Sequence, residues 1–174
     1  MKEKKIFIVG IYGSGKSTLA KRLSTLLRIK SFELDDIKYK RRYDVIRPVK
    51  QRLEKVKYIS NKISWIVEGS WTSYAIDLYK TADLIVFMNI PEWILYLRIL
   101  YLRILTRFFK RQFDDYEYKD NNLSTTFKMM KTVYGYYHNT NQFINLESHK
   151  KYIQKYSKNV VIIKNNKDIE KLLE

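Results

Sequence analysis

The stretch Gly10-Ile11-Tyr12-Gly13-Ser14-Gly15-Lys16-Ser17-Thr18 gathers glycines, one lysine and three aliphatic hydroxyls at a spacing that suits phosphate chemistry. It fits G-x-x-x-x-G-K-[ST], in which a tightly curled backbone aims its amides at phosphate oxygens. Side chains would obstruct that curl, and three of the chain's five glycines lie here. Lys16 is expected to reach the β- and γ-phosphates of a nucleoside triphosphate, Ser17 to ligate Mg²⁺ and Thr18 to contact the α-phosphate. An apolar strand precedes the motif and an amphipathic helix follows it, which is the context the chemistry requires. The helix adds its positive N-terminal end.

Carboxylates form the second group. In "FELDDIKY" Glu33, Asp35 and Asp36 follow a short apolar run, at the carboxyl end of an expected strand. Open α/β sheets bind ligands there. A carboxylate at that place can orient and deprotonate an acceptor hydroxyl during phosphoryl transfer, and Asp35 is the first choice. Strand alternation would put Glu33 and Asp35 on one side. Glu68, in "WIVEGSW", ends another strand and is expected beside the phosphate loop as a metal-supporting acid. Asp83 reads as structural, and Trp65, Trp71 and Trp93 read as core residues, with Trp71 near enough to Glu68 to note.

Arginines form the third group. "YLRILYLRIL", residues 96–105, says one five-residue phrase twice. On a helix five residues turn about 500°, or about 140° net, so Arg98 and Arg103 cannot face the same way. Arg103, Arg107 and Lys110 fall within about 60° of one another, a basic stripe suited to solvent or a lid surface. Arg98 comes from the apolar side and needs an anionic or stacked partner. A bound phosphate or base would serve, as would Glu68 or Asp83. Residues 93–109 are too short and carry too many arginines to span a membrane.

The elements that must hold these residues alternate. Strands are expected at 5–9, 29–34, 64–69, 82–90 and 159–164, and helices at 16–28, 48–62 and from Pro91 onward. A polar loop is expected at 112–122, further helices through about 157, and a closing helix over "KDIEKLLE". Such alternation predicts an α/β fold with a parallel sheet. The 174 residues fit a single domain, and the absence of cysteine excludes a disulfide framework and a Cys-based zinc site. The net charge of +16 comes from lysines and arginines spread along the chain, with no dense basic block. No helix-turn-helix or RNA-binding signature accompanies that charge, so nucleic acid is an admissible partner but not the favoured one. The basic N-terminus lacks a signal-peptide pattern, and a cytoplasmic protein is expected.

With these residues in hand, the chain resembles the P-loop kinases related to adenylate kinase, and most the bacterial DNA topology modulation (FlaR-like) branch. The likeness rests on "IVGIYGSGKSTLAKRL", "ELDDI", "WIVEGSW", "ADLIVFMNIP" and an arginine seven residues after Pro91. It implies a nucleoside-monophosphate-kinase fold, ATP and Mg²⁺ as cofactors, and an arginine-bearing lid. Arg98 matches the first lid arginine, whereas the second would fall at Leu102, one place before Arg103. Relatives often carry Asp at the positions of Glu68 and Asn89, and the "DGFPR"-like signature of adenylate kinases is missing. The combined expectation is a three-layer fold of five parallel strands with a helical insertion or lid at about 98–125. Its function would be transfer of the γ-phosphoryl of ATP to a small-molecule acceptor. Gly10, Tyr12, Gly13, Ser14, Gly15, Lys16, Ser17, Thr18 and Arg98 would hold ATP, Ser17 and Glu68 the metal. Lys16, Asp35, Arg98, Arg103 and Arg107 would act in catalysis. The alternative is an ATP-dependent nucleic-acid-binding regulator. No motif speaks to oligomeric state or to the acceptor's identity.

Overall fold

The continuous apolar run of the first strand dictates a sheet buried on both faces. In the computed structural model, β1 (Lys5–Gly10) sends Ile6 and Ile8 into one core and Phe7 and Val9 into the other. The structure describes residues 4–40, 45–70, 73–109, 123–142, 144–156 and 159–174, with backbone alone at 106–109. β2 (Ser31–Glu33), β3 (Trp65–Gly69), β4 (Leu84–Met88) and β5 (Val160–Ile163) complete a sheet of order β2-β3-β1-β4-β5. Every pairing is parallel. Helices cover both faces, which is what parallel strands require, since both their faces must be buried.

The chain builds β2 and β3 on one side of β1, then crosses to build β4 and β5 on the other. The order therefore reverses at β1, and its carboxyl end is the place where open α/β sheets bind ligands. Eight helices lie among the described residues: α1 (Lys16–Leu27), α2 (Leu34–Lys38), α3 (Val49–Ser60), α4 (Ile76–Thr81), α5 (Glu92–Phe109), α6 (Leu123–Tyr137), α7 (Leu146–Tyr156) and α8 (Asn166–Leu173). Leu19 and Leu23 of α1, Leu95 and Ile99 of α5 and Val133 and Tyr136 of α6 share the core with Ile6 and Ile8. Leu34, Val56, Leu78 and Ile153, from α2, α3, α4 and α7, pack with Phe7 and Val9. α8 opens with a capping box in which Asn165 and Asp168 satisfy each other's backbone amides.

The expected five-stranded parallel fold is present, with differences in detail. β2 is only Ser31–Glu33, and Leu34 already begins a helix. Asp35 therefore stands in the first turn of α2, and strand alternation does not relate it to Glu33. The short helix α4 was not anticipated. Trp65 is core as expected, but Trp93 is exposed, because the first turn of α5 points it away from the sheet. Trp71, the loop at 112–122 and the centre of the lid expected at 98–125 lie outside the described residues. Among the described residues no helix is long and apolar enough to cross a membrane.

The repeated phrase of α5 is split by the helix turn. Ile99 is 2% exposed in the core, whereas its counterpart Ile104 is 53% exposed. One residue type in one local sequence therefore has two energetic roles. Ile99→Ala should cost roughly 2–4 kcal/mol, and Ile104→Ala should stay within about 0.5 kcal/mol. Urea unfolding of the two variants checks this.

Candidate functional site

The loop between β1 and α1 folds around one carbonyl. Ile11 O accepts the Ser14 amide at 3.3 Å, the Ser14 hydroxyl at 2.6 Å and Lys16 Nζ at 2.9 Å. The buried Lys16 ammonium thus lies across its own loop. Gly15 precedes α1 in the left-handed region, with φ of 96°. A side chain there would be strained, so glycine sets the angle at which the helix leaves the loop. The first-turn amides of α1 have no intrahelical acceptor and carry the positive end of the helix dipole.

Register brings the acid to this loop. β1 pairs with β3 so that Ile8 lies level with Glu68. Glu68 shares a strand face with Ile66, which packs with Leu19 of α1. Glu68 is buried there, and its Oε1 accepts the Ser17 hydroxyl at 2.7 Å. A hydroxyl and a carboxylate held together are hard oxygen donors. Such a pair suits Mg²⁺, which takes one or two protein oxygens and completes its shell with water and phosphate. Glu33 is the register partner of Glu68 on β2 and lines the same cavity.

Gly69 places the remaining acid. A Cβ on Gly69 would stand 2.5 Å from Leu34 Cβ, so only glycine lets α2 approach the end of β3. That approach brings Asp35 to the cavity that Glu68 lines. Asp36, on the other side of α2, is exposed. Lys38 on the same helix is buried. Burial pushes its ammonium down to about 8, against the opposing pull of the Asp35 charge and with a push from Arg52.

Arg98 points from α5 into the loop. One of its terminal nitrogens donates to Gly13 O at 3.3 Å and to Ser14 O at 3.0 Å, and burial holds the guanidinium below its ordinary value. Arg103 turns instead to α6, where it donates to Thr126 Oγ1, and it does not line the cavity. The Arg107 side chain lies outside the described residues. Asp83 accepts the Lys5 amide at 2.8 Å, away from the site.

The cavity has a volume of about 640 Å³, within the range of small-molecule sites. Tyr12, Gly13 to Thr18, Asp35, Glu68 and Arg98 line it together, joined by Tyr101, Asn166 and Glu170. Sequence reasoning missed His149. It is wholly buried behind the wall of the cavity. Its Nε2 donates to Ser70 O at 3.0 Å, and its Nδ1 accepts the Tyr136 hydroxyl at 2.7 Å. The one available signal was its place on the apolar face of α7, three residues after Leu146 and four before Ile153.

The fold matches solved kinases. Shikimate kinase from Acinetobacter baumannii, in complex with shikimate, superposes with a TM-score of 0.56 at 14% identity, covering 98% of this chain and 89% of that one. Shikimate kinase from Bacteroides thetaiotaomicron gives 0.53 at 15% identity, over 97% and 93%. A gluconokinase from Sinorhizobium meliloti 1021 gives 0.50 at 13% identity, over 99% and 90%. The fold is that of the P-loop kinases. No family model and no curated protein matches the chain.

The His149 environment has a consequence for stability. Burial lowers its imidazole from the ordinary 6.5 to about 4, with the Lys16 charge adding to the shift and the Ser70 hydrogen bond opposing it. Below pH 6.5 the unfolded chain takes up a proton that the folded chain refuses. The contribution is thus complete above pH 6.5 and is lost as the pH falls toward 4, up to about 3 kcal/mol. Urea midpoints should fall between about pH 6.5 and 5 in the native protein, and less steeply in His149→Gln.

Proposed function

We propose that this protein is an ATP-dependent kinase acting on a small-molecule acceptor, nearest in motif pattern to the topology modulation branch of the adenylate-kinase-related kinases. The observation that carries the reading is the Ser17–Glu68 hydrogen bond of 2.7 Å at the foot of the phosphate loop, in a cavity that Asp35 also lines. Hydroxyl, carboxylate, lysine and loop amides form an anion-and-cation end, and the α2 acid forms an acceptor end. The structural neighbours, shikimate kinase with its shikimate and gluconokinase, favour a small acceptor over a macromolecular one.

The chain's residues divide the work by position. Lys16 leaves the Ile11 carbonyl for the β- and γ-phosphates, and the loop amides bind the phosphate oxygens. Ser17 and Glu68 would hold Mg²⁺, which when bound offsets phosphate charge. Asp35 orients the acceptor hydroxyl and takes its proton. The hydroxyl oxygen bonds to the γ-phosphorus, the bond from that phosphorus to the β–γ bridging oxygen breaks, and ADP leaves. Arg98 steadies charge on the transferring group. We include Arg103 and Arg107 as lid residues that act on closure.

Phosphorus NMR over a panel of nucleosides, nucleotides, sugars and hydroxy acids tests the reading. A phosphorylated product is expected from the native protein and none from Lys16→Ala. Asp35→Asn should lose about 10²- to 10⁴-fold in kcat while keeping its affinity for ATP. ATP hydrolysis stimulated by DNA, with no phosphorylated acceptor, would contradict the proposal.

A further inference from the structure

The kinase reading gives the buried His149 no task. His149 has no exposed surface and lies where the two cores meet, with the Phe87 ring edge-on at 6.0 Å and the Tyr136 ring at 5.5 Å. A leucine would fill such a place without bringing polar atoms that must be satisfied. Here both ring nitrogens are satisfied, one by Ser70 O and one by the Tyr136 hydroxyl. A carbonyl can only accept, so the hydrogen sits on Nε2, and Nδ1 is left to accept from Tyr136. The hydrogen bonds thus select one tautomer.

One partner lines the cavity and the other lies in the core behind it. Ser70 lines the cavity and follows Glu68 and Gly69, where the close approach to Leu34 leaves the backbone little slack. Tyr136 stands on α6, a helix also tied to the phosphate loop and to the end of β4. The Tyr12 hydroxyl of the phosphate loop donates to Met129 O, and Tyr137 donates to Ile90 O beyond β4. α6 also packs on α5, which carries Arg98.

We infer that His149 is a positioning residue: through Ser70 it holds the turn after Glu68 in place, and through Tyr136 it ties that turn to the helices behind Arg98. The inference rests on the kinase reading for its consequence in turnover, but not for the bond itself. The acid at the cation end and the arginine above the loop are thereby set by one rigid connection. Loosening it shifts the wall between Glu68 and Asp35 and leaves the phosphate loop, held by its own Ile11 carbonyl, unchanged.

The test compares His149→Leu, which removes both hydrogen bonds, with His149→Gln, which keeps a donor toward Ser70 O, and with Ile153→Ala. Ile153 is buried on the same helix and makes no contribution to the bond, so it controls for lost stability. At matched folded fraction, His149→Leu should lose about 10- to 100-fold in kcat/KM for the acceptor, the range seen when an outer positioning partner is removed. Affinity for metal-free ATP should be unchanged, His149→Gln should recover most of the loss, and Ile153→Ala should show none. In ¹⁵N NMR the native His149 should show the Nε2–H tautomer alone, and Tyr136→Phe should keep it, because Ser70 O still requires a donor. The chain's other histidine, His138, is removed to assign the signal. Equal kinetics for His149→Leu and Ile153→Ala, or no recovery in His149→Gln, would overturn the inference. If the native protein phosphorylates nothing, the kinase reading falls and amide exchange at Gly69 and Ser70 decides. Exchange about tenfold faster in His149→Leu but not in Ile153→Ala upholds positioning, and equal exchange overturns it.

Discussion

The parallel pairing of β1 with β3 is the constraint from which the site follows. It sets Ile8 level with Glu68 and Val9 level with Gly69, so the phosphate loop and the acid-bearing turn leave the sheet side by side. Because side chains alternate, Glu68 must share a face with Ile66, and that face is covered by α1. Ser17, in the first turn of α1, meets Glu68 there. A one-residue slip of β3 would turn Glu68 to the opposite core, away from Ser17 and the phosphate loop. Gly69 then lets α2 close in, which carries Asp35 to the same cavity.

A second constraint comes from α5. Its apolar residues serve two environments: Leu95 and Ile99 enter the core, whereas Leu97, Leu100 and Ile104 are exposed. Five-residue repetition on a helix guarantees this division, since repeat mates lie about 140° apart. The consequence for the arginines is direct. Arg98 reaches the carbonyls of Gly13 and Ser14, and Arg103 reaches Thr126 on the neighbouring helix. One arginine of the phrase meets the phosphate loop and the other holds the helical pair together.

Much of this was legible in the sequence because it rests on local chemistry. The glycine and lysine spacing of residues 10–18 declares the loop, and the apolar runs declare the central strands. Five parallel strands follow from their alternation with helices. The rest depends on contacts between distant segments. Nothing near Glu33 in the sequence announces that the strand ends there and that Asp35 begins a helix, because Gly69 on another strand admits that helix. Trp93 was expected in the core on its residue type, yet the start of α5 turns it outward. In the sequence His149 is one polar residue among the lysines of α7. Its meaning depends on Ser70 and Tyr136, which lie 79 and 13 residues away in the chain.

The central claim is that Ser17 and Glu68 form the cation end of an ATP site. Calorimetric titration of ATP, once with Mg²⁺ and once with chelator, tests it in the native protein and in Glu68→Gln. The account predicts tighter binding with Mg²⁺ in the native protein and a gain smaller by about tenfold or more in the variant, with similar affinity for metal-free ATP. The same Mg²⁺-dependent gain in both proteins, or no ATP binding by the native one, would contradict it.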